Sequence, residues 1–190
     1  MWLPAPDWLH HRLAISGAAA DLGEFRQAAA GAGIIPWLFD LERMEEDYLH
    51  LLLASGQCRL SVAGARIFAR QLRDAVARRH ELALARVGHS QACPFDLHAL
   101  LPVPDEILAL GPDAPDALAW LWQYWGTTEA LRHVAEEPAY GPLDAGAGHA
   151  EASFRLRFWS ADWTPWRALN DLGARWPALR FDIRPTYDLP

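Results

Sequence analysis

Arg66, Arg70 and Arg73 recur at spacings of four and three. On a helix this places their guanidinium groups on one face, where they can hold carboxylates or phosphates. Upstream, Glu42, Glu45 and Glu46 sit within the acidic run from Asp40 to Asp47. The two sets read as a candidate interaction surface. They can neutralise each other within one chain, meet a second copy or a protein partner, or, for the arginines, meet phosphates.

Other chemistry-bearing residues form weaker patterns. His89, Cys93 and His98 are the nearest His/Cys set, but they lack a fourth ligand and a zinc-type spacing. Asp105 and Glu106 are adjacent, so on a helix they point apart and make a poor acid/base pair. The chain has no GxSxG elbow, no P-loop and no GxGxxG. No catalytic residue, metal ligand or cofactor is assigned on these grounds.

The stretch WLWQYWGTTEAL holds Trp120, Trp122, Tyr124 and Trp125. Such a run can stack on a base or a sugar. The stronger reading is core packing on a short strand or helix end, closed by a turn at Gly126. Thr127 or Thr128 would then cap a helix running through Val134.

Composition limits what these residues can serve. With 52% hydrophobic and 22% charged residues the chain is a soluble globular protein, and its ten tryptophans supply ample core volume. A net charge of −7 argues against binding nucleic acid with the whole surface, though a local basic patch remains open. All the basic residues are arginine, which we attribute to coding bias. Cys58 and Cys93 cannot make a disulfide framework and suit a reducing cytoplasm. The first residues lack the pattern of a signal peptide, and no apolar stretch is long enough to span a membrane.

Periodicity along the chain predicts the helices and strands that carry these residues. Leu13 and Ile15 alternate with Arg12 and Ala14, which predicts a strand over His10–Ser16 closed by Gly17. Asp21 and Glu24 suit a capping box for the next helix, which Gly31 and Gly33 stop. Helices are predicted over Asp40–Ala54 and Ala65–Val87, the first acidic and the second basic on its outer face. FDLHALLPVP reads as strand-like, followed by a short helix from Asp105. Gly141–Ala150 has loop composition. Phe154, Leu156 and Phe158 alternate with Arg155 and Arg157, and Leu179, Phe181 and Ile183 alternate with Arg180, Asp182 and Arg184. Between these strands Thr164, Pro165, Trp166, Leu169, Leu172 and Trp176 mark a helix. Strands with one wet face predict an α+β fold with helices mainly on one side of the sheet. Arg155, Arg157, Arg180 and Arg184 would share the wet side, without the surface aromatics that nucleic-acid-binding sheets add.

Four pieces stand in a telling order: PDWLHHRLAISG, FDLHALLPVPDEIL, the aromatic run ending WGT, and a late WTPW helix start before the final strand. This order resembles the YubB ferredoxin-like family of uncharacterised bacterial, phage and plasmid proteins. Its members open on N-W-C-x-N-x-L-x-V-x-G, carry P-x-P mid-chain and show N-W-G-T-K later. Here Trp8, Leu13 and Gly17 keep the opening pattern, and Trp125, Gly126 and Thr127 keep the core of the later one. Tyr124 and Thr128 replace its asparagine and lysine.

The resemblance implies a single domain over 1–190 with a ferredoxin-like βαββαβ core and a helical block inserted at about 36–90. It implies structural roles for Trp8, Gly17, Trp125, Gly126 and Thr127, an origin in a mobile element, no iron–sulfur cluster and no catalytic residues. The expectation is a cytoplasmic, non-enzymatic binding or accessory module. Its partner is expected to be a protein or a second copy of the chain, ahead of nucleic acid through the arginine helix or the sheet face, with an enzyme of unknown class third and no membrane partner.

Overall fold

The computed structural model describes residues 6–54, 60–138 and 152–186. Cys58 and the Gly141–Ala150 stretch lie outside the described residues. The fold is mixed α and β: a four-stranded antiparallel sheet with seven helices among the described residues. In chain order the elements are β1 (Trp8–Gly17), α1 (Ala19–Ala29), α2 (Leu41–Ala54), α3 (Val62–Leu84), α4 (Leu97–Leu100), α5 (Asp105–Leu108), α6 (Pro115–Tyr124), β2 (Arg132–Glu136), β3 (Ala152–Ala161), α7 (Trp166–Arg175) and β4 (Arg180–Thr186).

The strand order is β2-β3-β1-β4, with every neighbouring pair antiparallel. The long central strands are β1 and β3. On β1 His11, Leu13 and Ile15 point inward, and on β3 Phe154, Leu156 and Phe158 do the same. Against this face pack Leu22 and Phe25 of α1, Leu121 of α6, and Leu169 and Leu172 of α7. Phe25 is central, with its ring 5.5 Å from both Trp176 and Phe181, edge-on to each. A fully buried Leu, Ile or Phe contributes about 1.5–3 kcal/mol, so this one-sided layer is ample to hold the sheet.

Four local expectations are corrected. FDLHALLPVP is not a strand: Asp96 accepts a hydrogen bond from the His98 N–H at 2.9 Å and starts the short α4. Asp21 does not cap α1, which begins at Ala19 after Ala18 with no side-chain cap. Thr127 and Thr128 begin no helix; the chain turns there and enters β2, an irregular edge strand in which His133 has φ 51°. Thr164 does not cap α7 with its hydroxyl, which instead meets His11 Nε2 at 2.8 Å.

The two long predicted helices are present as α2 and α3. Ser61 caps α3 through the Gly64 N–H, and Asp40 receives the Arg43 N–H at the start of α2. They form a hairpin that packs chiefly on itself. None of the side chains of α2 is fully buried, and only Ala65 and Ala69 of α3 are. At its base the hairpin meets the body where His80 Nε2 reaches the Trp37 carbonyl at 2.8 Å and its ring lies 4.2 Å from Phe39. Ile35 and Trp37 themselves belong to the core. Gly31 and Cys93 exchange both backbone hydrogen bonds at 2.9 Å, pinning together the points where the chain leaves for the hairpin and returns.

Candidate functional site

The predicted interaction residues divide into two groups. Arg73 reaches Glu45 at 2.6 Å and Asp74 at 2.6 Å, and Arg70 lies 3.5 Å from the same Glu45. Glu45 and Arg73 are thus neutralised within the hairpin, whereas Arg70 is 62% exposed and shares a carboxylate that Arg73 already holds. Arg66, Glu42 and Glu46 are exposed and form no ion pair among the described residues. Beside them the outer surface of α3 carries large apolar side chains: Ile67 is 63% exposed, Leu82 72% and Phe68 46%. Leu60, Ile67 and Phe68 line a shallow depression with Gly64 and Gln71. On α2, Leu51 and Leu53 are exposed as well. The spacing in the sequence puts Phe68 on the inward apolar stripe of this helix and arginines outward; the structure instead leaves Phe68 exposed beside Ile67 and Leu82.

The aromatic run lies on a helix and splits between core and surface. Trp125 is wholly buried, and its Nε1–H donates to the Leu101 carbonyl at 3.1 Å. Trp120 is partly buried against the core and stacks on Tyr124 at 4.7 Å. Trp122 and Tyr124 face outward. The core reading therefore holds for Trp125 and partly for Trp120, and fails for Trp122 and Tyr124.

The other motif residues have structural tasks. Gly126 turns the chain at φ +78°. Thr127 donates its hydroxyl to the Ala161 carbonyl at 2.9 Å and accepts the Ala161 N–H at 3.1 Å, latching the end of β3. Gly17 runs so close to the 178–179 segment that a Cβ would stand 2.6 Å from Leu179 and 2.9 Å from the Ala178 carbonyl. Trp8 lies half-buried beneath Arg132, whose guanidinium carbon is 3.8 Å from the ring centre.

Two sites resemble reaction centres in composition. A cavity of about 770 Å³ is lined by Gly33, Ile35, Trp37, Leu118, Glu129 and Asp162 among others. Four of its polar groups pair off, Thr128 donating to Asp162 and Glu129 holding Arg132 at 2.6 Å, while Asp113 on the same lining has no partner among the described residues. The second is a histidine–hydroxyl set. His11 Nε2 meets Thr164, Ser160 lies 3.4 Å from Nδ1, and the Ser160 hydroxyl donates to the Trp163 carbonyl at 2.5 Å. His11 has no exposed surface. Burial pushes its pKa down to about 4, opposed by a hydrogen bond with the Leu9 backbone. This set is a satisfied core network that no substrate reaches.

The His89, Cys93 and His98 set does not converge on a metal. The Cys93 thiol donates to the Phe95 carbonyl at 3.3 Å, and burial pushes its pKa up to about 11. His98 Nδ1 accepts the Val103 N–H at 3.2 Å. Among the described residues no three His, Cys, Asp or Glu side chains group as a metal site. No described helix is long and apolar enough to cross a membrane.

The face of the sheet away from the core was expected to carry arginines without aromatics. Arg12, Arg155, Arg157 and Arg184 are exposed there. Trp159 follows the same alternation, and its ring lies 5.1 Å from that of His10. The face therefore does carry aromatic surface. Counting on two residues from Arg157 would have found it.

No family model matches the chain, and none of the curated proteins does. Among solved structures, the crystal structure of a protein api92 from Yersinia pseudotuberculosis, described under the family DUF1281, is similar with a TM-score of 0.47 and 12% identity, over 95% of this chain and 90% of that one.

Proposed function

We propose that the chain is a non-enzymatic binding module whose α2–α3 hairpin docks a second copy of itself, built on a ferredoxin-like βαββαβ core. The strand order β2-β3-β1-β4, with helix-bearing connections from β1 to β2 and from β3 to β4, supports the core assignment. The apolar outer stripe of α3 carries the docking reading: Ile67, Phe68 and Leu82 stand in water on a helix that leaves the body of the protein. Exposed apolar stripes rimmed by charge mark association surfaces.

Charge selects the occupant. The outer surface of α2 is acidic at Glu42 and Glu46, and that of α3 is basic at Arg66 and Arg70. A two-fold axis that sets α2 of one copy against α3 of the other joins unlike charges twice and covers both stripes in a four-helix arrangement. The pairing of Asp162 with Thr128 and of Glu129 with Arg132 in the cavity, and the inaccessibility of His11, support a non-catalytic reading. Ile67→Glu tests the docking by light scattering on a sizing column. The wild type runs as a dimer and the variant as a monomer with an unchanged far-UV spectrum; a monomeric wild type overturns the proposal.

A further inference from the structure

A second surface lies on the sheet, independent of the hairpin. Arg12 stands opposite Arg157 of β3 on one side and opposite Arg184 of β4 on the other. Like charges directly opposite one another destabilise a sheet, yet here a row of them crosses adjacent strands. Arg155 and Arg180 extend the row, opposite Ala14 and Ser16. The carboxylates nearby are Glu137, 3.4 Å from Arg12, and Asp182, 3.1 Å from Arg184. Arg155, Arg157 and Arg180 form no ion pair among the described residues. This cationic field belongs to a chain whose net charge is −7, so the acidic charge is concentrated elsewhere.

Aromatic surface adjoins one end of the row. His10 pairs with Trp159 across β1 and β3, and Trp8 lies one pleat further along under Arg132. His10 registers the field. Its pKa is held below the usual value first by burial and then by Arg12, with Arg157 adding to this and Glu137 opposing it.

We propose that this face, against which no described helix packs, binds single-stranded nucleic acid, with phosphates along the Arg157–Arg12–Arg184 row and a base stacked at the Trp159 and Trp8 end. The aromatic end selects among polyanions. A base with a free π-face can stack there, whereas a paired base in a duplex cannot. A lipid headgroup or an acidic peptide would use the arginines alone.

Fluorescence anisotropy with labelled oligouridine and oligothymidine of about twelve nucleotides, a length matched to one such platform, tests this. Binding should appear at low salt and weaken with a slope of about −2 in log K against log salt, the value for three phosphate contacts to a single strand. Trp159→Leu should weaken it by roughly fivefold to a hundredfold, the range for loss of one stacked base. Reversal of Arg12, Arg157 and Arg184 to Glu should abolish it. Asp182→Asn should tighten it, a gain that misfolding cannot imitate. Preference for the uridine or the thymidine probe assigns RNA or DNA, and either supports the proposal. It is overturned by no binding at low salt, by binding that survives the triple reversal, or by duplex DNA or anionic vesicles competing as well as the single strands.

Discussion

Arg73 closes on Glu45 across the seam of α2 and α3 at 2.6 Å while the rest of its guanidinium holds Asp74. The seam thus uses up one acid and one base of the pattern that suggested an interaction surface. Removing Glu45 should loosen the hairpin without unfolding the body, because the hairpin adds little to the core. We expect Glu45→Ala to speed amide exchange in α2 by roughly two- to fivefold, the scale of an ion pair at the water boundary. Exchange in β1 and β3 should not change. Equal acceleration in all three elements would contradict this division.

The aromatic run predicts two opposite outcomes from neighbouring tryptophans. Trp125→Ala removes a wholly buried indole and strands the Leu101 carbonyl that it bonds. The loss should be about 3–5 kcal/mol in urea unfolding. Trp122→Ala acts on a side chain that is 43% exposed, and should stay within about 0.5 kcal/mol of the wild type.

Much of this fold was legible because most of its strands are wet on one side. β1, β3 and β4 showed their alternation directly, and α7 its stripe. β2 was not legible: RHVAE is short, lies at the sheet edge and carries a register shift near His133, so no alternation builds up. α4 was hidden because its four residues are too few for a helical period, and its signal is one cap at Asp96. The charges of the hairpin were readable, but their pairing was not, since spacing along one helix says nothing about its neighbour. Trp159 was legible by the same alternation, because it lies two residues past Arg157 on the wet side of the strand.

Gly17 and Gly126 are held by different constraints. At Gly17 a methyl group would press on the Ala178 carbonyl and Leu179, so Gly17→Ala should cost about 1–3 kcal/mol through overpacking. At Gly126 the cost comes from the backbone, with φ at +78°. Gly126→Ala should cost about 1–2 kcal/mol. Thermal unfolding of the two variants measures both.

Stability should fall in mild acid. His11 is neutral when folded, with a pKa of about 4 set mainly by burial, and near 6.5 when unfolded. Between these values the unfolded chain binds the extra proton, so its contribution is complete above pH 6.5 and is lost as the pH falls to about 4. The loss is on the order of 3 kcal/mol. His10 and His98 are lowered too, and act in the same direction. Urea midpoints at pH 7.5 and pH 4.5 should differ accordingly, and His11→Phe should flatten the slope. An unchanged slope in that variant would assign the acid sensitivity to other groups.

If unlike helices meet between two copies, a charge-swap mixture should restore the association that each variant alone loses. One variant carries Glu42→Arg and Glu46→Arg; the other carries Arg66→Glu and Arg70→Glu. Sedimentation equilibrium should show each alone weakened by at least about tenfold in self-association, because like charges then face each other at both contacts. An equimolar mixture should recover a dimer containing one copy of each. Dimers that persist in both separate variants, or a mixture that stays monomeric while the wild type dimerises, would contradict the pairing of α2 with α3 across copies.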